Sequence, residues 1–367
     1  MSLLAKIPSR ILLCAWLLAL VPAAGARAEL IVVANEHAGT LSIIDGETGG
    51  ARTLTVGGDP HNLAVTAGGG RVIVTHPSAG RVSVIDPRLP KVLKRLAVPG
   101  QPHGVAVSPD DRWAFIGAET GRKLYRLDLA KLELAGAFAL SPAPHNLAVT
   151  ATGRAWITVQ GGSTLWLVDL GSGAPVHRLD TPAMPHDLAL SRQDGALWVA
   201  NWGSPDVFLV QGDPPRLLTV KIGGRQPHHV VLTPDGAGAW ITNHGSEDIS
   251  VIDTARRREV ARIAVGDAPH HVAFSRDGRW AYVANSGSND VSVIDVAARR
   301  EVRRLPAGAH PHGIVTIPGN VATFDAPDLQ SAEADFAHSA EAVTSAAKAG
   351  RSAKADGGKG RGFSALQ

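Results

Sequence analysis

At 367 residues, with 44% hydrophobic residues of which only 5% of the chain is aromatic, the protein can bury a large aliphatic core. Its formal charge of +3 falls to 0 once the first 28 residues are set aside, because they hold Lys6, Arg10 and Arg27 and no acid, so net charge gives no ground for a nucleic-acid surface. The single cysteine, Cys14, lies in the same stretch, which excludes disulfides, thiolate metal sites and a cysteine nucleophile from residue 29 onward.

Taken in order, residues 1–28 read as a secretory signal peptide. Lys6 and Arg10 open it, Ile11 to Val21 is apolar, and Ala26-Arg27-Ala28 is a small-x-small cleavage site. The apolar run is too short to span a bilayer comfortably. The expected address is periplasmic or secreted, with no stable membrane span after cleavage; an uncleaved anchor is the alternative.

From residue 29 the chain is periodic. A Pro-His pair opens a short apolar run at His61, His103, His145, His186, His228, His270 and His312, at steps of 42, 42, 41, 42, 42 and 42 residues. A period that regular marks a repeat architecture. The unit from His270 reads as four short strands. Val272 to Phe274 is strand A, Trp280 to Ala284 strand B, Val291 to Ile294 strand C and Arg299 to Leu305 strand D, each bounded by Gly, Asp, Asn or Pro. Four antiparallel strands per roughly 40 residues is the pattern of a propeller blade. The expected fold is all-β, a seven-bladed β-propeller over residues 29–320.

The two ends complete each other. Residue 29 begins with strands B, C and D and no A. His312 begins a strand A, Gly313 to Ile317, with nothing after it. Together they make the seventh blade, a latch that leaves neither terminal blade with an open edge. Residues 321–367 lose the pattern, are rich in Ala, Ser, Gly and Lys, and are expected to form a disordered tail.

Tyr282-Val-Ala-Asn285 followed by Val291-Ser-Val-Ile-Asp295, and Trp240-Ile-Thr-Asn243 followed by Ile249-Ser-Val-Ile-Asp253, resemble the YVTN-type β-propeller repeat. The resemblance implies a secreted or periplasmic seven-bladed propeller and says little about function. Related propellers include nucleic-acid binders, surface-layer proteins, quinoprotein subunits and haem-binding domains of periplasmic nitrite reductases, the last with eight blades. Three blades depart from the pattern, with His76, Ala118 and Val159 where Asn is usual.

In a blade, the entry to strand A and the exit of strand B share one end of the propeller. The seven Pro-His pairs are therefore expected to crowd one mouth of the channel. Exit-loop residues His37, His76, Glu119, Gln160, Trp202 and His244 are expected to surround them. The Asp residues that end strand C read as turn caps. Beyond the repeat, His229, His271 and His310 add imidazoles to the sector of blades five to seven, numbering blades from His61.

The candidate metal ligands are His61, His103, His145, His186, His228, His270 and His312, with His76, His244 and His310. Neutral imidazole suits Cu, Zn, Ni and Fe, and copper heads that affinity series. The sequence admits three readings. The first is a non-catalytic binding protein for a transition metal, copper or zinc, or for a metal-bearing cofactor or partner, with haem among the candidates. The second is a metal-dependent oxidoreductase with its centre on the rim. The third is an interaction scaffold for a periplasmic partner, with structural histidines. A general base such as His103 beside Glu119 is a further enzymatic option. No G-x-S-x-G context or phosphate loop is present.

Overall fold

The computed structural model describes residues 29–318, except Pro142 and Gln160. The expected leader, the expected tail and the Gln160 rim position lie outside the described residues. The described chain folds as 28 strands in seven four-stranded sheets. Six sheets are consecutive in sequence, and the seventh has Pro311–Pro318 beside Glu29–Asn35, then Thr40–Asp45 and Ala51–Thr55. The latch is therefore formed, with Val32 opposite Val315 and Leu30 opposite Ile317 in the antiparallel register. No helix among the described residues is long and apolar enough to cross a membrane.

Alternation along strand B explains why blades stack into a ring. Leu30, Val32 and Ala34 pack with Val72 and Val74 of blade one, whereas Ile31 and Val33 pack with Tyr282, Ala284 and Val293 of blade six. Successive side chains leave a strand on opposite faces, so one strand fills two inter-blade cores. All five residues from Leu30 to Ala34 are fully buried. Each large aliphatic among them contributes roughly 1.5–3 kcal/mol, which makes the latch a substantial share of the closure. Strand D is outermost and mostly exposed, as in Arg300–Pro306.

The polar punctuation also has work. The Oδ1 atom of Asp45 accepts hydrogen bonds from the backbone N–H groups of Glu47 at 3.0 Å and Thr48 at 2.7 Å, and Asp128 does the same for Ala130 and Lys131 at 2.9 Å. These are the turn caps expected after strand C. The Asn that ends strand B bridges to strand C: Asn285 Nδ2 donates to Asp290 Oδ1 at 2.7 Å and to Ser292 Oγ at 2.8 Å.

One feature of strand A places the site. In blades two to seven the Pro-His pair lies inside the strand rather than in a turn before it, as in Pro269–Phe274. Pro269 faces Asn285 while Val272 faces Val283, so strand A carries one extra residue at His270 and His271. The same shift follows Pro102, Pro144, Pro185, Pro227 and Pro311. A β-bulge re-aims side chains and bends the strand. Proline, which cannot donate to the ladder, is tolerated at the first residue of an innermost strand.

Candidate metal centre

The bulges carry six of the repeat histidines, and His61 precedes the regular strand Leu63–Val65 of blade one; the rings of all seven meet. Successive ring centroids lie 4.5 Å apart for His61 and His103, 3.9 Å for His103 and His145, and 4.6 Å for His145 and His186. The circle continues at 4.3 Å to His228, 4.4 Å to His270 and 4.3 Å to His312. It closes at 3.7 Å between His312 and His61, across the latch. Sheets that stack about 10 Å apart thus bring their inner histidines into ring-to-ring contact.

Backbone contacts between blades hold this circle. Thr75, Thr158 and Thr242 each donate a hydroxyl to the carbonyl of the next blade's histidine, at 2.8 Å to His103, 2.9 Å to His186 and 2.6 Å to His270. Gly313 N–H donates to the His61 carbonyl at 3.1 Å. The His186 Nδ1–H donates to the His228 carbonyl at 3.1 Å, which leaves its Nε2 as the lone-pair nitrogen.

Three members come closest to a metal-ligand set. His228, His270 and His312 are 4%, 9% and 3% exposed, and each offers a ring nitrogen within 4.8 Å of the other two. Three nitrogens on one tetrahedral ion stand about 3.4 Å apart for metal–nitrogen bonds of about 2.0–2.1 Å, so small ring movements would complete the set. The Nδ1 atoms of all three are buried without a hydrogen-bond partner among the described residues. Buried polar atoms are ordinarily paired, and an unpaired one calls for a ligand or a cost.

Burial also keeps these rings uncharged. Desolvation, then repulsion from neighbouring histidines, holds His228 and His312 well below the usual histidine value and pushes His270 down to about 2. Metal ligation needs the unprotonated imidazole, so protons do not compete for this set near neutral pH.

One residue further along strand A, five of seven blades carry a polar side chain, Asn62, Asn146, Asp187, His229 and His271, and the other two carry Gly104 and Gly313. His229 and His271 stack at 4.2 Å, Asn62 Nδ2 donates to Asn146 Oδ1 at 3.1 Å, and His229 Nε2 lies 3.5 Å from Asp187 Oδ2. Burial pushes the Asp187 carboxyl up to about 7. On the rim, His145 Nδ1 and Glu119 Oε1 are 2.5 Å apart, and His103 Nδ1 is 3.9 Å from the same oxygen. Desolvation pushes Glu119 up to about 7 and His145 well down, so the pair is held by one shared proton. The expected His103–Glu119 partnership is thus chiefly a His145–Glu119 one.

The remaining predicted positions divide. His244 lies over the circle, 4.9 Å from His270 and 5.4 Å from Trp202, and His310 is 5.6 Å from His270. His76 stands apart: fully buried, it places Nε2 2.9 Å from Ser83 Oγ, the bond that Asn285 makes to Ser292 in its own blade. It replaces the strand-ending Asn and joins none of the ligand groups. Glu36 was not among the expected residues, yet it groups with His37 and His310 and also with His61 and His312. Its place directly after Asn35, in the same column as Glu119 and His244, was the available signal. Two surface clefts, around Ser191 and Arg257 and around Arg154 and His177, include none of the rim residues.

A family profile described as YNCE-like beta-propeller matches residues 3–321. No curated protein matches the chain. Among solved structures, hydrazine synthase of Kuenenia stuttgartiensis is similar at 19% identity and a TM-score of 0.65, over 72% of this chain and 92% of that one. A functionally unknown protein of Desulfotomaculum acetoxidans is similar at 15% identity and a TM-score of 0.70, over 79% and 99%. Dihydro-heme d1 dehydrogenase NirN, in complex with DHE, is similar at 18% identity and a TM-score of 0.59, over 78% and 74%. Identities this low establish a shared fold.

Proposed function

The chain belongs to the YNCE-like β-propeller family, and from that footing we propose that it is a periplasmic binding protein whose histidine circle takes a transition-metal ion at His228, His270 and His312. The observation that carries this reading is the buried triad itself: three neutral imidazoles with ring nitrogens within 4.8 Å and an unpaired Nδ1 on each. Copper is the first choice, because an all-imidazole set without thiolates follows the general affinity order in which Cu(II) stands above Ni(II) and Zn(II).

The geometry favours an ion over a macrocycle inside the channel. Adjacent rings touch, and even His228 and His312, two blades apart, are 5.6 Å centroid to centroid. That leaves no gap for a planar haem within the circle, so a metal-bearing cofactor or partner would meet only the outer rim of His244, Trp202 and Glu119. The named activities of the similar propellers support no more than the suitability of the scaffold. The periplasmic address rests on the leader read from residues 1–28.

The test is calorimetric titration of Cu(II) and Zn(II) into the mature protein and into a His228→Asn, His270→Asn, His312→Asn variant. One tight site in the parent, lost in a variant that still melts cooperatively, is the expected result. An absent tight site, or one retained by the variant, would overturn the assignment.

A further inference from the structure

Beyond the buried triad, and resting on the metal-binding reading of it, we infer that Glu36, His37 and His310 form a second, rim-level cation site that hands the metal ion inward through Glu36, His61 and His312. The groups able to ligate an ion overlap in a chain. Glu36, His37 and His310 offer ligand atoms within 4.8 Å of one another; so do Glu36, His61 and His312; so do His228, His270 and His312. Consecutive groups share one member, first Glu36 and then His312. An ion that exchanges ligands one at a time therefore keeps a protein ligand at every stage. It is never released bare into a low-dielectric interior, where an uncompensated charge is costly.

Exposure falls along the same path. His37 is exposed, and the His310 and Glu36 side chains are 30% and 23% exposed. His61 is half-buried, and His312 is 3% exposed. Charge changes in the matching sense. Glu36 is the one carboxylate of the path and draws a cation from solvent, whereas the terminus of the path is three neutral nitrogens. A carboxylate at a mouth raises the encounter rate of cations, and an all-nitrogen set gives the final selectivity for late transition metals.

The rim site is also built, not incidental. His37 and His310 stack at 4.1 Å with planes 21° apart, and His310 Nδ1 lies 3.0 Å from Glu36 Oε2. The Glu36 N–H donates to the His310 carbonyl at 3.0 Å, and the His310 N–H donates to Asn289 Oδ1 at 2.8 Å. The left-handed φ at His310, 56°, and the backbone bond from Glu36 recur at Gln101, Gln226 and Ala268 in other blades, so the repeat fixes this backbone and the side chains of Glu36, His37 and His310 make it a site. Glu36 and His37 follow the strand Glu29–Asn35, and His310 precedes the strand Pro311–Pro318. An ion at this site would tie the two sides of the ring closure together.

Trp202 supplies the reporter for the test. Its ring lies 5.6 Å from His228, close enough for Cu(II) in the triad to quench it. Cu(II) alone is mixed with the metal-free mature protein in a stopped-flow instrument, beside Glu36→Gln and a His37→Ala, His310→Asn variant. A Trp202→Phe variant identifies the triad's share of the quench. The expected result is an equilibrium affinity of the triad within about threefold of the parent, with quenching slowed on the order of tenfold or more. Removal by a chelator slows by the same factor, since the affinity is unchanged.

Quenching at parental speed in both rim variants, with full amplitude, would overturn the inference while leaving the triad intact. No Cu(II) binding in the parent would instead overturn the function proposed for the triad, and the rim path with it. The isosteric Glu36→Gln variant guards against misfolding: if only the histidine double variant loses its melting transition, the rate in Glu36→Gln decides.

Discussion

Lowering the pH should unfold this protein at a mildly acidic value, because the channel stores uncharged histidine. Burial holds His61, His103, His145, His228, His271 and His312 well below 6.5, His76 and His186 at about 4, His229 at about 3 and His270 at about 2. In the unfolded chain these rings take up protons near 6.5, and in the native state they do not. The stability they contribute is therefore complete above about pH 7 and is lost as pH falls below 6.5 towards the folded values. Between pH 7 and 5.5 each ring accounts for about 1.3 kcal/mol, so ten account for about 13 kcal/mol.

Asp187, Glu119 and Glu29 oppose this. Burial pushes each up to about 7, so the native state takes up their protons first and regains about 1.6 kcal/mol apiece over the same interval. The net loss of about 8 kcal/mol is comparable to the whole stability of an ordinary domain, about 5–15 kcal/mol. Urea titrations followed by tryptophan fluorescence at pH 7, 6.25 and 5.5 measure it directly. A stability that stays level across that interval would refute the argument, since it would mean that the rings are hydrated and titrate normally. Saturating metal at a hundred times its dissociation constant should restore about 2.7 kcal/mol.

Other substitutions separate structure from ligation. His76→Asn should leave metal stoichiometry unchanged and stability within about 1 kcal/mol, because Asn35, Asn243 and Asn285 make the equivalent bond in their own blades; His76→Ala should cost about 1–3 kcal/mol by stranding the Ser83 hydroxyl, and thermal melts compare the two. Gly313→Ala should break the closed circle, since a Cβ there collides with the His61 carbonyl oxygen and cannot move away without shifting backbone. A loss of about 2 kcal/mol or more in chemical denaturation is expected, and a neutral result would show that blades one and seven are further apart than described. Gly104→Ala, whose Cβ meets the His145 carbonyl and stands 2.7 Å from the Asn146 Cα, should behave alike.

The architecture was legible because a repeat announces itself. The 42-residue spacing of His61 to His312 and the missing strand A before Glu29 are enough to count seven blades and to foresee the latch between Val32 and Val315. The crowding of imidazoles in blades five to seven also showed in the sequence, through His228, His229, His270, His271 and His310. What did not show was contact. The spacing alone left the Pro-His pairs in turns, and only the extra residue in the register at Pro269 to Val272 explains why rings from separate sheets approach to about 4 Å. His76 misled for a chemical reason: imidazole can stand in for the Asn amide as a partner for a buried hydroxyl, and sequence does not say which job a histidine holds. Asp187 was overlooked because it is a carboxylate in a column otherwise held by Asn, Gly and His, and Glu36 because the exit loop that carries it was read through its neighbour His37.

The proposed site holds one ion among His228, His270 and His312. Crystals of the copper-loaded mature protein, measured at the copper absorption edge, test it most directly. The expected result is an anomalous peak on the inner face of blades five to seven with three imidazole nitrogens at about 2.0 Å. A peak confined to surface residues, or no peak from crystals grown with excess copper, would contradict it.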